Sequence, residues 1–447
     1  MPMETQVQGL VEAYLGGCAD LQEVKAASDE SKIKTLDEQA AAVNLYRGRP
    51  LFFKYVGSGR GRGPYVELED GSVKIDLING IGIHVLGHSH PYILESSVKA
   101  ALSDVVMQGN LQPNKEYMEI MEKLVEIGSR SSNLKHVWLC PSGSMANENG
   151  LKMCRQKTNG ARMVIAMENS FAGRTTMMAE VTDNDNYRVG LPRYNEVLRI
   201  PFYDSKDPQS SEKSLEAFKA HVEKHRGDIS CFMFEPMQGE GGYKVAPKEF
   251  FLPILEICKK EGIPVFLDEV QTFCRTGEFF AFETLGLGDY VDVVSVAKTL
   301  QTGATFYTEE FNPKPGLISG TFSGSTVALA AGKTVLETLD DGYMGDGGKI
   351  QRIHKGFTDM LKDLNKTTCK GLVNDVEGLG LMVAFTAFNG EKDKMLAFVK
   401  RLFENGVMCF GCGSGPFRVR FLLPAVLEDK HINEIKKIME KTLLELK

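Results

Sequence analysis

The sequence predicts an α/β protein: a large domain built on a mainly parallel sheet, with a smaller second domain. Three observations predict it. From about residue 115 to 330, short apolar runs alternate with helical patterns, as in repeated βαβ units. Two of those runs end in residues able to do chemistry, Asp268 and Lys298, and open α/β sheets gather their chemistry at strand C-termini. Finally, 447 residues exceed one ordinary small domain.

Taken in order, residues 1–50 read as mostly helical and partly polar. Tyr65–Leu68 and Val73–Leu77 flank Glu-Asp-Gly and predict a β-hairpin, preceded by a loop rich in glycine and arginine. The next predicted strands are His136–Cys140, Met163–Ala166, Ile229–Phe234, Pro264–Leu267 and Val291–Val296. Helices are predicted over Ala146–Gln156, Glu212–Lys224 and Lys248–Glu261, and residues 204–214 as a polar surface loop. From about 340 the chain returns to mixed helices and strands. The expected division is 1–85 as the N-terminal part of the small domain, 86–339 as the large domain, and 340–447 as the remainder of the small one. There is no internal repeat.

Composition excludes several functions. Hydrophobic residues make up 43% and charged residues 25%, with a net charge of -7 and both signs spread along the chain. Nothing there forms the basic footprint of a nucleic-acid binder. No apolar run reaches membrane-spanning length, and the first twenty residues lack the layout of a secretory signal. Nine cysteines, an odd number without framework spacing, favour a reducing cytoplasm. Cys409 and Cys412 form a lone CxxC, read as two ordinary thiols; no metal site is expected. Glycines 57, 59, 61 and 63 do not make the dinucleotide fingerprint, and Val327 stands where Gly332-Lys333-Thr334 would need a P-loop glycine.

The chemistry begins with Phe266-Leu267-Asp268-Glu269-Val270-Gln271. A carboxylate at the end of a buried strand needs a partner, and a protonated pyridine nitrogen is a good one, because it makes the ring an electron sink. Thirty residues on, a second buried run delivers Ala297-Lys298-Thr299. A lysine there can form a Schiff base with an aldehyde once desolvation favours its neutral form. Either residue alone is a weak sign; the pair on successive strand ends is far more specific. Pro141-Ser142-Gly143-Ser144 leads straight into a helix. It can be a plain N-cap or a phosphate cradle of free amides.

With these residues in view, the chain resembles the class III (ω-) aminotransferases, pyridoxal-phosphate enzymes of fold type I. The resemblance covers residues 65–430, with motifs in family order: Ile75-Asp76, Asn79-Gly80-Ile81-Gly82 and Gly87-His88; Ser142-Gly143-Ser144 with Asn147-Glu148; Phe171 and Gly173-Arg174-Thr175; Glu235-Pro236-Met237-Gln238-Gly239-Glu240-Gly241-Gly242; Leu267-Asp268-Glu269-Val270-Gln271; Ala297-Lys298; Thr321-Phe322; and Arg420-Phe421. It implies an aspartate-aminotransferase-like large domain with a seven-stranded sheet and a smaller α+β domain. It implies pyridoxal 5'-phosphate as cofactor, held covalently by Lys298, which also moves the proton. Asp268 would pair with the pyridinium nitrogen, Gln271 with the ring hydroxyl, Gly143 and Ser144 with the phosphate, and Phe171 with the ring face. Thr321 is similar to a threonine that reaches the phosphate of a neighbouring subunit, implying a homodimer, with tetramers left open.

On the substrate side, Arg420 resembles the clamp on an α-carboxylate and Arg174 the grip on a distal one, which suits glutamate and 2-oxoglutarate. Glu240 matches the glutamate that pairs with that clamp when no α-carboxylate is present, and Glu235 a second acid nearby. The implied reaction is a ping-pong transfer of the terminal amino group of an ω-amino acid to a 2-oxo acid. Ile81 stands where ornithine-specific members carry Tyr, favouring donors without an α-amino group, such as 4-aminobutyrate, with lysine and acetylornithine next. The chain departs from the family at Ala172, usually His, in the bulkier run Thr299–Tyr307, and at Ser323-Gly324-Ser325. Those departures bear on the donor. An aminomutase or decarboxylase on the same fold is the alternative, and would not need Arg174.

Overall fold

The computed structural model describes residues 3–447. The chain divides into two compact units, Met1–Lys99 with Lys349–Lys447, and Ala100–Gly348. The cuts thus fall after Lys99 and Gly348, where the sequence reading set them at 85 and 339.

The first unit opens with helices Met3–Gly17 and Glu30–Arg47. The second of these starts at Asp29, whose carboxylate accepts the amides of Ser31 and Lys32, and stops at Gly48 in a left-handed turn (φ 75°). Strands β1 (Gly57–Arg62), β2 (Tyr65–Leu68) and β3 (Val73–Asp76) follow, each antiparallel to the next. The β2–β3 hairpin is the one expected. Strand β1 is not: its Gly-Ser-Gly-Arg-Gly-Arg run has no apolar alternation and reads as a loop. Pairing with β2 makes it a strand, with Arg60 in an ion pair to Glu67 of β2.

The second unit begins with a short strand β4 (Met107–Gln108) and then builds one seven-stranded sheet. Its strands are β5 (His136–Cys140), β6 (Met163–Met167), β7 (Val197–Ile200), β8 (Ile229–Phe234), β9 (Val265–Asp268), β10 (Val293–Val296) and β11 (Gly303–Tyr307). Their order is β5-β11-β10-β9-β8-β6-β7. Four neighbouring pairs are parallel, and β11 alone runs against both its neighbours. The expected strands and helices are present, the helices over Gly143–Lys157, Ser210–Lys224 and Lys248–Glu261. Two further strands, β7 and β11, lie outside the expected set; β11 falls in the run after Lys298 that reads as a loop. All five of its residues are buried, so its sequence shows no alternation to mark it. Lys333, of the rejected P-loop match, lies inside helix Thr326–Asp340 and pairs with Glu119.

Helix Gly143–Lys157 packs on this sheet through Leu151, Met153 and Cys154, against Val164, Cys231, Met233 and Phe266. Gly150 lets it come close: a Cβ there would sit 2.4 Å from the Phe266 ring. One turn earlier, on the same face, stands Asn147. A last strand, β12 (Gly324–Ser325), pairs with β4.

The first unit resumes with helix Lys349–Lys366, whose Ile350, Ile353, Phe357, Leu361 and Leu364 form a buried stripe at helical spacing. Strands β13 (Val373–Leu379), β14 (Met382–Ala387), β15 (Val407–Met408), β16 (Phe410–Cys412) and β17 (Arg418–Leu422) complete the chain with helices Lys392–Glu404 and Asp429–Glu445. Strand β15 joins β3 in parallel, while β13-β14-β17-β16 form an antiparallel sheet. All nine cysteines are buried and free. Among the described residues no helix is long and apolar enough to cross a membrane, and no cluster could hold a metal ion.

Candidate active site

Parallel pairing of β9 and β10 sets Asp268 directly beside Ser295. Asp268 is 6% exposed. Its Oδ2 accepts the Asn147 side-chain amide at 2.7 Å, and its Oδ1 accepts the Val270 amide at 2.9 Å. Asn147 is itself fixed: it donates to the Ala172 carbonyl at 2.6 Å and accepts the Ser295 hydroxyl. Burial pushes the Asp268 carboxyl up to about 6, against these hydrogen bonds and the Lys298 ammonium, which pull it down. A buried acid with two neutral donors is oriented but not neutralised. It suits a cationic partner.

Lys298 follows β10 by two residues, at a backbone φ of 52°. The next helical turn closes at Gln301, also left-handed at 65°, whose amide bonds the Lys298 carbonyl. Left-handed backbone is strained for a residue with a Cβ, and here it turns the chain sharply off the strand end. Lys298 is half-buried and close enough to Asp268 to lower its pKa.

Ser142 caps helix Gly143–Lys157, its hydroxyl accepting the Met145 amide at 3.3 Å. The amides of Gly143 and Ser144 lie in the first turn, where no helical acceptor precedes them. The loop after β6 lies against this turn: Arg174 donates its amide to the Ser144 hydroxyl at 3.3 Å. Gly173, at φ 137°, comes so near that a Cβ would meet Ser144 Oγ at 2.4 Å. Thr182 ties the same loop from within, accepting the amides of Ala172 at 2.9 Å and Gly173 at 3.3 Å.

Glu235, 5% exposed, directly follows β8. Its two oxygens accept the amides of Phe171 and Gly239, each at 3.0 Å, so it fixes the backbone of the predicted ring-stacking residue. Burial first, then the nearby Asp268, push its carboxyl up to about 8. Gln271 is buried and accepts the Tyr243 hydroxyl at 3.0 Å. Gly239 packs directly on it, its would-be Cβ only 2.5 Å from Gln271 Nε2. Glu240 is half-buried. Glu269, next to Asp268, serves the fold instead. Fully buried, it accepts the amides of Ala281 and Phe282 and the Thr272 hydroxyl, bracing a loop.

Three buried acids raised in this way make a checkable prediction for the cofactor-free protein. Asp268 shifts from 3.8 to about 6, Glu269 from 4.5 to about 7 and Glu235 from 4.5 to about 8. The folded state therefore keeps protons that the unfolded chain has already released. Stability falls as pH rises through roughly 4 to 8. Thermal midpoints should be lower at pH 8 than at pH 6, and Glu235→Gln should flatten that difference. An equal slope in the variant would contradict the assignment to Glu235.

Arg174 is exposed, with its guanidinium carbon 3.5 Å from the Tyr187 ring centroid and 5.7 Å from that of Phe171. Tyr187 has no sequence signal; it arrives in a short turn, Asp185–Tyr187, started by Asn184. Thr321 is exposed, its carbonyl pressed to Gly109, where a Cβ would lie 2.9 Å away. The second unit therefore gathers Asp268, Lys298, Phe171, Glu235 and Gln271 by contact or direct electrostatic influence, and brings Gly143 and Ser144 to the same loop. In the first unit, Arg420 lies on β17, 2% exposed, opposite Ala384 of β14 and Phe410 of β16. Ile81, half-buried at φ 64°, stands in the tight turn Asn79–Gly82.

The family model "Aminotransferase class-III" matches residues 51–443. An acetylornithine aminotransferase of Methanocaldococcus jannaschii is 30% identical, over 87% of this chain and 93% of its own. A probable 4-aminobutyrate aminotransferase of Bacillus subtilis is also 30% identical, over 86% of this chain and 92% of its own. The solved lysine aminotransferase of M. tuberculosis shares the fold with a TM-score of 0.80 at 21% identity, covering 91% of this chain and all of that one.

Proposed function

The chain belongs to the class-III aminotransferases, which use pyridoxal phosphate, and on that premise we propose that it passes the terminal amino group of an ω-amino acid to 2-oxoglutarate. The single observation that carries the reading is the buried Asp268 at the end of β9, oriented by Asn147 and Val270, with Lys298 acting on it from the end of β10. The residues present fit the cofactor: an oriented but un-neutralised acid for a cationic ring nitrogen, and a helix start with free amides for a phosphate.

When bound, pyridoxal phosphate supplies an aldehyde that exchanges amines and a ring that accepts electrons from the carbon being deprotonated. Lys298 would hold it through Nζ, and the same Nζ, when free, would carry the proton. Asp268 keeps the ring nitrogen protonated. Gln271 bonds the ring hydroxyl, and Gly143 and Ser144 donate to the phosphate. Phe171 covers the ring face, held there by Glu235. Arg420 takes the α-carboxylate of 2-oxoglutarate and Arg174 its distal carboxylate, with Glu240 and Ile81 shaping the donor's fit. Among donors, 4-aminobutyrate leads, then lysine and acetylornithine.

Thr321 acts on the phosphate of a second copy in a homodimer. The exposed apolar side chains of Leu102, Val106, Met107, Leu111 and Phe322 support that assembly; β4 and β12 pair to bring the two stretches together.

The test is a donor panel with 2-oxoglutarate, scored by glutamate released. An ω-amino acid should lead it; activity confined to α-amino donors would overturn the reading. Arg174→Ala should raise KM for 2-oxoglutarate by roughly 10- to 100-fold, the scale of a lost hydrogen bond between charges. KM for a monocarboxylate donor should move much less. Equal changes would remove Arg174 from this role.

A further inference from the structure

The first unit contains a cavity of about 440 Å³ that none of the residues assigned to amino transfer lines. Volumes of this order hold small molecules. Phe52, Phe53 and Phe403 form its apolar wall, with the Phe53 and Phe403 rings stacked at 4.5 Å and Phe52 edge-on to Phe53 at 4.7 Å. Ser72 and Lys74 also line it. Ser72 immediately precedes β3 and Lys74 is its second residue, so in extended chain the two point to one face.

Both are unusual. The Ser72 hydroxyl is 1% exposed and has no hydrogen-bond partner. Lys74 is 6% exposed, yet among the described residues its ammonium forms no ion pair. It has one long hydrogen bond, 3.5 Å to the Glu404 carbonyl, and the Phe403 ring at 5.2 Å. Burial holds its pKa below the usual lysine range, with Asp70 and Glu404 opposing only from a distance. A desolvated ammonium and a bare hydroxyl on one strand face cost stability unless something meets them. The other charged groups are already engaged or peripheral: Lys54 pairs with Asp37, Glu404 with Arg401, and Asp70 accepts the Ser72 amide. Lys400 lies over the Phe52 ring.

We propose that this cavity is a second small-molecule site, which takes a monocarboxylate with a flat apolar body. The carboxylate meets Lys74 and Ser72, and the body lies along the three phenylalanines. One buried cation matches one negative charge. Asp70 and Glu404 at the lining disfavour a second, so dicarboxylates are rejected.

The probe is 3-phenylpropionate, titrated calorimetrically into the cofactor-loaded enzyme beside its neutral amide and glutarate. The acid should bind, and Lys74→Met should weaken it at least tenfold, as should replacing the acid with the amide. Ser72→Ala should weaken it severalfold. Lys74→Met should melt no lower than wild type, because it removes a buried charge without emptying the cavity. Affinity unchanged in Lys74→Met would place the ligand elsewhere, the amino-transfer site included, and overturn the proposal. So would failure of wild type to bind the acid. Should Lys74→Met not fold, unchanged affinity in both Ser72→Ala and Phe52→Ala decides against it. None of these variants touches a residue of the transferase site, so loss of this binding and loss of transamination are separate results.

Discussion

Lys298→Ala is expected to lower kcat by about 10³-fold or more and to abolish the cofactor's long-wavelength absorbance in the resting enzyme. Two contributions vanish together. Proton transfer by a placed side chain is worth roughly 10²- to 10⁴-fold, and the covalent hold proposed for this amine would go with it. The structure gives no stand-in near the strand end: Thr299 is buried and Gln301 turns back to bond the carbonyls of Lys298 and Thr299. Absorbance and single-turnover rate would be measured together. A retained band with retained turnover would show that another amine does the work.

Asp268→Asn should cost roughly 10²- to 10³-fold in kcat, the scale of removing one preorganised group from a buried site. The substitution keeps shape and takes away charge. It also disturbs the local network, because the new amide nitrogen must face either the Asn147 amide or the Val270 amide, both donors. Cofactor affinity should fall along with kcat. Asn147→Ala leaves the charge and removes the orienting bond, together with the Asn147 ties to Ala172 and Ser295, so its loss should be smaller. If Asn147→Ala proved as damaging as Asp268→Asn, orientation rather than charge would be the property that matters at this position.

The sequence reveals those parts of the fold where local signals and tertiary outcome agree. Strand β8 and helix Lys248–Glu261 match their predicted bounds because an unbroken apolar run and a helical stripe ended by Gly262 say the same thing locally. Strand β11 stayed hidden because it is buried on both faces, and β1 because glycines carry no side-chain pattern. The candidate site divides likewise. Asp268 and Lys298 can be read from strand ends, where chemistry is expected. The Asn147, Ser295 and Tyr243 contacts cannot, since their partners come from remote stretches of chain. Tyr187 under Arg174 comes from a turn whose residues carry no periodicity.

Strand β11, reversed between β5 and β10, has a consequence for how the protein is made. Strand β5 has no neighbour in the sheet but β11, so Cys140 leaves the ribosome long before Gly303, the residue it pairs with. Until then the segment leading to the Gly143–Ser144 turn is an unprotected edge, open to mispairing. The same reversal supplies the lysine and the missing neighbour in one stroke. A nascent chain cut short ahead of it would lack both, so a half-made enzyme should be recognisable as misfolded rather than lingering as an inactive look-alike.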